Sequence, residues 1–191
     1  WDMYNYHIRG ITGASGKYFE RREFKDNIPV GQWRRYYVSG NLLAEGDVKG
    51  GTVRRPDKDG QWSYFRDSTV YRDAKVISLG KEVTKKKKFD IKLKNETYKD
   101  GELNGLYQSF HNNESIWESG NYKDGKRDGE WTSYISDGYH YAKGVYKDGY
   151  RDGTWEMSYD FSIPEHDSTK MRAVTVSVTY KNGSVWDGWQ M

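Results

Sequence analysis

Three stretches of this chain repeat one another at a fixed interval, and that repetition limits the possible fold more than any other feature. Tyr98-Lys99-Asp100-Gly101, Tyr122-Lys123-Asp124-Gly125 and Tyr146-Lys147-Asp148-Gly149 start 24 residues apart. Four residues after each glycine stands another, Gly105, Gly129 and Gly153, and two residues later a large aromatic, Tyr107, Trp131 and Trp155. A period of this size marks an architecture in which each unit buries its apolar face against its neighbours. In the middle unit, Glu130–Ile135 reads as a strand, Ser136-Asp137-Gly138 as a turn, and Tyr139–Tyr146 as the returning strand. Asp-Gly pairs favour tight reversals, so Asp124-Gly125 and Asp128-Gly129 are expected to supply the next one. Two strands of about five or six residues and two turns fill the period. The expected fold is all-β: an elongated antiparallel meander of repeated β-hairpins.

The pattern extends beyond the clear units. Aligned on the second glycine, Phe24 takes the Tyr98 position, Gly31 that of Gly105 and Trp33 that of Tyr107. Asn27 replaces the first glycine, a tolerable exchange because Asn enters the left-handed backbone region more readily than most residues. A second degenerate unit follows with Gly60, Trp62 and Phe65, offset by an insertion around Gly50-Gly51. Pro56 stands where it should have a glycine; proline cannot take positive φ, so this unit's first turn must differ in geometry. Degenerate repeats thus occupy residues 24–75, an inserted hairpin 76–97, regular repeats 98–159 and a C-terminal cap 160–191 of one domain. Ahead of them, Trp1–Ile8 reads as an edge strand, with Gly10, Gly13 and Gly16 breaking the chain into turns. In the last clear unit Tyr159 arrives one residue late, which suggests a bulge. Val174, Val176, Val178 and Tyr180 alternate as a strand, and Tyr180-Lys181-Asn182-Gly183 restarts the motif.

Composition supports thin, ring-packed sheets: 17 Tyr and 8 Trp, and no apolar or 3.6-periodic run suited to helical layers. The inserted hairpin carries Lys85, Lys86, Lys87 and Lys88, read as its basic tip. A solvated turn explains that run; the sharper reading is a contact for an acidic partner or anionic lipid heads, each Lys contributing roughly 1 kcal/mol near such a surface. A formal charge of +3, dispersed along the chain, argues against a nucleic-acid partner. No apolar run is long enough for a transmembrane segment. The absence of cysteine excludes disulfides and thiolate metal sites and leaves cytoplasm and export equally open. A start at Trp1 rather than Met is compatible with removal of an upstream signal.

Candidate chemistry is sparse. His7, His111, His140 and His166 are scattered, with no pair at metal-ligand spacing. Asp128 and Asp152 share a repeat position, but each precedes a turn glycine, which explains them without catalysis. Lys126 and Arg127 between the acids argue against a calcium loop. No catalytic residue, cofactor site or metal site is assigned. The aromatic ladder of Trp33, Trp62, Tyr107, Trp131 and Trp155 is expected to be core, each ring burying on the order of 150–250 Å². An exposed groove for glycan or extended peptide is the competing reading. Trp117, Trp186 and Trp189 lie off the ladder and are the candidate partner contacts, together with the four lysines.

The pattern Tyr-Lys-Asp-Gly-x-x-x-Gly-x-Trp, with an aromatic three residues on, resembles the variant MORN repeat of bacterial proteins. Gly125-Lys126-Arg127-Asp128-Gly129-Glu130-Trp131-Thr132-Ser133-Tyr134 carries the resemblance most fully, which covers residues 98–159 well and 24–66 loosely. Proteins built from this variant include the YwqK-like antitoxin family, which implies a non-enzymatic protein-binding module acting as an antitoxin or immunity protein against a toxin. The eukaryotic MORN proteins are linked to membranes and scaffolding, but Glu-Trp or Thr-Trp stands here where their second half has Gly, so lipid binding is not carried over. The alternative expectation is an exported bacterial surface or periplasmic protein, with or without a lipid anchor, in a structural, adhesive or carbohydrate-binding role.

Overall fold

The structure is a computed structural model that describes residues 5–13, 16–52, 55–78, 81–135, 140–161 and 172–185. Its described elements are all β-strands, and the chain falls into two compact units, Trp1–Gly101 and Glu102–Met191. The first unit holds β1 (Asn5–Gly13), β2 (Gly16–Lys25), β3 (Ile28–Tyr37), β4 (Leu42–Gly51), β5 (Pro56–Ser78) and β6 (Lys81–Lys99). The second holds β7 (Glu102–Phe110), β8 (Ile116–Lys123), β9 (Lys126–Tyr134), β10 (His140–Lys147), β11 (Tyr150–Phe161), β12 (Arg172–Lys181) and β13 (Ser184–Val185). Within each unit every strand pairs antiparallel with its neighbour in sequence, so the connections are hairpins.

The reversals follow from local residue chemistry. A two-residue type I′ turn, whose twist matches that of the flanking strands, needs positive φ at both central positions. Asp124 and Gly125 have φ of 48° and 75°, and the other Tyr-Lys-Asp-Gly copies match. Asp26 and Asn27, at 50° and 64°, do the same in the degenerate unit, as the exchange of Gly for Asn requires. The turns that contain glycine are also tied backwards. The Gly125 amide donates to Leu103 O (2.9 Å), Gly149 to Arg127 O (3.0 Å) and Gly183 to Arg151 O (2.8 Å). Before Pro56 the geometry changes: Thr52 and Arg55 exchange backbone hydrogen bonds of 2.9 and 3.1 Å.

Four sequence expectations are corrected. Asp128-Gly129 is not a reversal but lies inside β9. Gly120 opposes Trp131 while Asn121 opposes Asp128, leaving Gly129 and Glu130 as two extra residues, a bulge. The same shift recurs at Gly31-Gln32, Gly60-Gln61 and Gly153-Thr154. The bulge of the last regular unit therefore sits at Gly153, and β11 pairs with β12 without interruption from Gly153 to Phe161. Gly10 does not break the first strand either, since β1 runs through it to Gly13, paired as Gly10 with Phe19. Lastly, the long hairpin turns between Ser78 and Lys81, so Lys85–Lys88 lie within β6 opposite Ala74–Tyr71 rather than at a tip. Charge alone marks solvation; the register with β5 decides where the chain reverses.

Each core forms on one side of its strands. In β10, Ala142 and Gly144 are buried while Tyr141, Lys143 and Val145 are exposed, the period-2 pattern of a sheet covered on one face. Trp131, Ala142, Trp155 and Met157 make the core of the second unit, and Trp33, Ala44, Val48 and Trp62 that of the first.

Candidate partner-binding surface

The repeat is built around a tryptophan lying over a glycine. Trp62 covers Gly46, Trp131 covers Gly120 and Trp155 covers Gly144, each glycine on the preceding strand. A Cβ added at any of these glycines would stand 2.2–2.5 Å from indole carbons, so no larger residue fits beneath the ring. Lying flat, each indole N–H reaches the carbonyl one residue past its glycine: Asp47 O at 2.9 Å, Asn121 O at 3.0 Å and Val145 O at 3.1 Å. Burial without a partner would be costly, and this bond removes that cost. Trp33 is the exception. Its partner strand offers Arg22 where the others offer glycine, and its indole N–H has no acceptor among the described residues. Instead the guanidiniums of Arg22 and Arg35 stack on Trp33 at 4.3 and 4.6 Å, and both pair with the buried Glu20 carboxylate, Arg35 at 2.8 Å.

Four residues before each of the other three tryptophans stands a cation. Arg127 lies 4.0 Å from the Trp131 ring and donates to Tyr146 Oη at 3.3 Å. Arg151 lies 4.5 Å from Trp155 and donates to Tyr180 Oη at 3.1 Å. Lys58 lies 4.8 Å from Trp62 and donates to Tyr98 Oη at 3.2 Å. The tyrosine clasped is in each case the one that opens the next Tyr-Lys-Asp-Gly or Tyr-Lys-Asn-Gly turn. The signal was legible as a recurring basic residue at one offset from Trp. Arg127 is further held by Glu118 at 2.7 and 2.9 Å. Burial acts to lower its pKa, but the bonds to Tyr122 and Glu118 outweigh this and raise it.

The first unit elaborates this clasp into a polar cluster. Lys58 also donates to Tyr64 Oη at 2.6 Å, and Glu96 accepts from Tyr98 Oη at 2.7 Å and Lys94 Nζ at 2.5 Å. Burial would raise the Glu96 carboxyl, but the Lys94 and Tyr98 hydrogen bonds hold it below the usual carboxylate range. Burial pushes the Lys58 ammonium down to about 8 from 10.5, against the pull of Glu96. A lysine depressed in the folded state releases its proton there first. The unfolded chain then binds more protons between pH 8 and 10.5, and stability rises with pH across that window. The expected gain is on the order of 1 kcal/mol, allowing for the solvent that still reaches the group. Urea midpoints of the wild type and Lys58→Arg, compared at pH 7.5 and 10, check this: the wild type should rise relative to the variant, whose charge persists.

This packing decides between the two readings of the ladder. Trp33, Trp62, Trp131 and Trp155 are only 1–2% exposed, so these rings are packed core and not an open groove. In the second unit Tyr107, Tyr122, Trp131, Tyr146, Trp155 and Tyr180 form an unbroken series of ring contacts with centroids 5.0–6.4 Å apart.

Of the candidate contacts, Trp117 is 56% exposed. Phe110 opposes Ile116 and Ser109 opposes Glu118, so Trp117 is an unmatched bulge residue near the end of the β7–β8 hairpin. Its ring lies 6.0 Å from that of His111, whose Nε2 is 2.9 Å from Tyr134 O. Tyr141, 46% exposed, belongs to β10, which is separated from β8 by β9, at the same end. Lys85–Lys88 belong to the other unit, with side chains outside the described residues, as are Trp186 and Trp189. Of the remaining histidines, His7 and His140 are placed by backbone alone, and His166 lies outside the description. Asp128 and Asp152 immediately precede bulge glycines. Among the described residues no three His, Cys, Asp or Glu side chains gather as a metal site, and no helix is long and apolar enough to cross a membrane. Neither a family model nor a curated protein matches the chain.

Proposed function

We propose that the chain is a non-enzymatic protein-binding module that acts by occlusion. The observation that carries this reading is the division of the tryptophans: the repeat position is consumed in the core, while Trp117 stands exposed at a hairpin end beside His111. Large exposed aromatics on a rigid hairpin are favourable anchors, because they bury much area and lose little side-chain freedom. The finer reading, an antitoxin or immunity protein that neutralises a toxin, is supported by the likeness of residues 98–159 to the variant MORN repeat.

The test is affinity capture with the tagged chain from its native host, followed by reconstitution with the purified partner. The wild type is expected to retain one partner stoichiometrically, and Trp117→Ala to weaken the complex at least tenfold while its urea midpoint stays unchanged. Loss of the exposed ring removes little from the fold, so a stability loss matching the binding loss would count against a contact role. Repeated capture of nothing would sink the reading in favour of a surface-protein role.

A further inference from the structure

Strand β12 differs from every other strand of its unit in what it presents outward. Its inner side is paired with β11 from Arg172 to Tyr180. Among the described residues its outer side is paired only at Tyr180 and Lys181, by the two-residue strand β13. Between these limits the sequence is Ala173-Val174-Thr175-Val176-Ser177-Val178-Thr179, without charge, proline or glycine. Natural edge strands are ordinarily guarded by charge, proline or a bulge, because an open row of N–H and C=O groups invites another strand. Val174 and Val176 share the face of Met157 and Trp155, yet remain 41% and 40% exposed.

We propose that this edge is a homodimer contact, in which β12 of a second copy adds antiparallel across a two-fold axis. The inference stands apart from the binding reading above and does not rest on it. An isologous contact requires the same surface to complement itself, and this segment does. With Val176 opposite its own copy, Val174 meets Val178, Thr175 meets Ser177 and Ala173 meets Thr179. Valines then line one face and Ala173 with the hydroxyl residues the other, whereas a slip of one residue would remove every valine–valine pair. Charge agrees with this register: the paired segment Ala173–Thr179 carries none, so no like-charged pair is brought together.

The hydrogen bonding fits too. Asn182-Gly183 is a two-residue turn, so Lys181 and Ser184 flank it as a hydrogen-bonded pair. Counting back in steps of two, Thr179, Ser177, Thr175 and Ala173 point their backbone N–H and C=O outward. The proposed pairing matches Thr175 with Ser177 and Ala173 with Thr179, outward groups against outward groups. Val176 then meets its copy at a non-hydrogen-bonded position, where Cα atoms approach to about 4.5 Å. One strand pair buries less than the ~1,200 Å² of a standard interface, so the dimer is expected to be weak and concentration-dependent.

The absence of cysteine makes a direct test available. Val176→Cys places two thiols within disulfide range at the axis, and mild oxidation is expected to convert most of the protein to a covalent dimer. Lys143→Cys, exposed in the middle of the second unit, should remain monomeric under the same conditions. In sedimentation velocity the wild type is expected to shift from monomer to dimer with rising concentration, and Val176→Lys to weaken that association at least tenfold with unchanged circular dichroism. A wild type that stays monomeric at every concentration overturns the proposal. So does a dimer that Val176→Lys leaves intact, or equal cross-linking through Lys143→Cys.

Discussion

Gly144→Ala is expected to cost the second unit about 3 kcal/mol, although it adds one methyl group and changes no hydrogen-bonding atom of its own. Overpacking a close-packed interior costs about 1–3 kcal/mol, and displacing the ring also breaks a buried hydrogen bond worth about 1 kcal/mol. The geometry leaves no mild alternative. A Cβ at residue 144 would lie 2.3–2.5 Å from three carbons of the Trp155 indole, so the ring must lift off the strand. Lifting it separates Nε1 from Val145 O and disturbs the contacts with Arg151 and with Tyr146, whose ring centroid is 5.0 Å away. The comparison that isolates the cause is Gly153→Ala in the bulge, where φ is 68° and no atom lies within 4 Å of an added Cβ. Only backbone strain of about 1–2 kcal/mol acts there. Urea unfolding followed by tryptophan fluorescence should therefore rank Gly144→Ala clearly below Gly153→Ala; equal midpoints would mean that ring-on-glycine packing is not what holds the unit.

Trp131→Ala is expected to be the most damaging single truncation, at about 3–5 kcal/mol, the usual range for a large buried aromatic. Trp131 is 2% exposed and touches the rings of Tyr107, Tyr122 and Tyr146, with centroids at 5.6, 5.3 and 5.8 Å. It also carries the Arg127 guanidinium at 4.0 Å. Removing it opens a cavity, interrupts the ring series and leaves Arg127 without the aromatic surface that stacks beneath it. Among the described residues the unit holds only the strands of one meander, with no second layer to collapse into the space, which places the cost toward the upper end. Trp117→Ala serves as the reference, since that ring is largely in solvent; if both substitutions shifted the urea midpoint alike, the core assignment would be wrong.

Much of this fold was legible because the chemistry that sets it is local. Asp-Gly and Asp-Asn pairs admit positive φ at adjacent positions, so the turns at residues 26–27, 100–101, 124–125 and 148–149 could be read directly. The repeated Trp was legible as core for the same reason: a ring that recurs at one position of every hairpin must fall on one face. The second glycine misled. Asp128-Gly129 has turn composition, but φ of 72° at Gly129 serves a bulge as well as a reversal, and only the pairing of Asn121 with Asp128 tells the two apart. Lys85–Lys88 misled likewise, because a charge run marks solvent exposure and carries no information on where the chain turns back.

What the sequence alone determined was the hairpin: its antiparallel strands, its turn chemistry and the residue type at its centre. Those depend on backbone conformational preferences and on side-chain alternation within about two dozen residues. Register and contact between hairpins were decided only in three dimensions. They include the glycine beneath the indoles of Trp62, Trp131 and Trp155, the carbonyl that each of these N–H groups reaches, and the cation that joins each of these tryptophans to the tyrosine of the next Tyr-Lys turn. They also include the replacement of glycine by Arg22, which trades an indole hydrogen bond for two stacked guanidiniums around a buried carboxylate. Each of these pairs residues from different strands, and which ones meet depends on bulges that shift the ladder by two residues, a displacement that no local preference encodes.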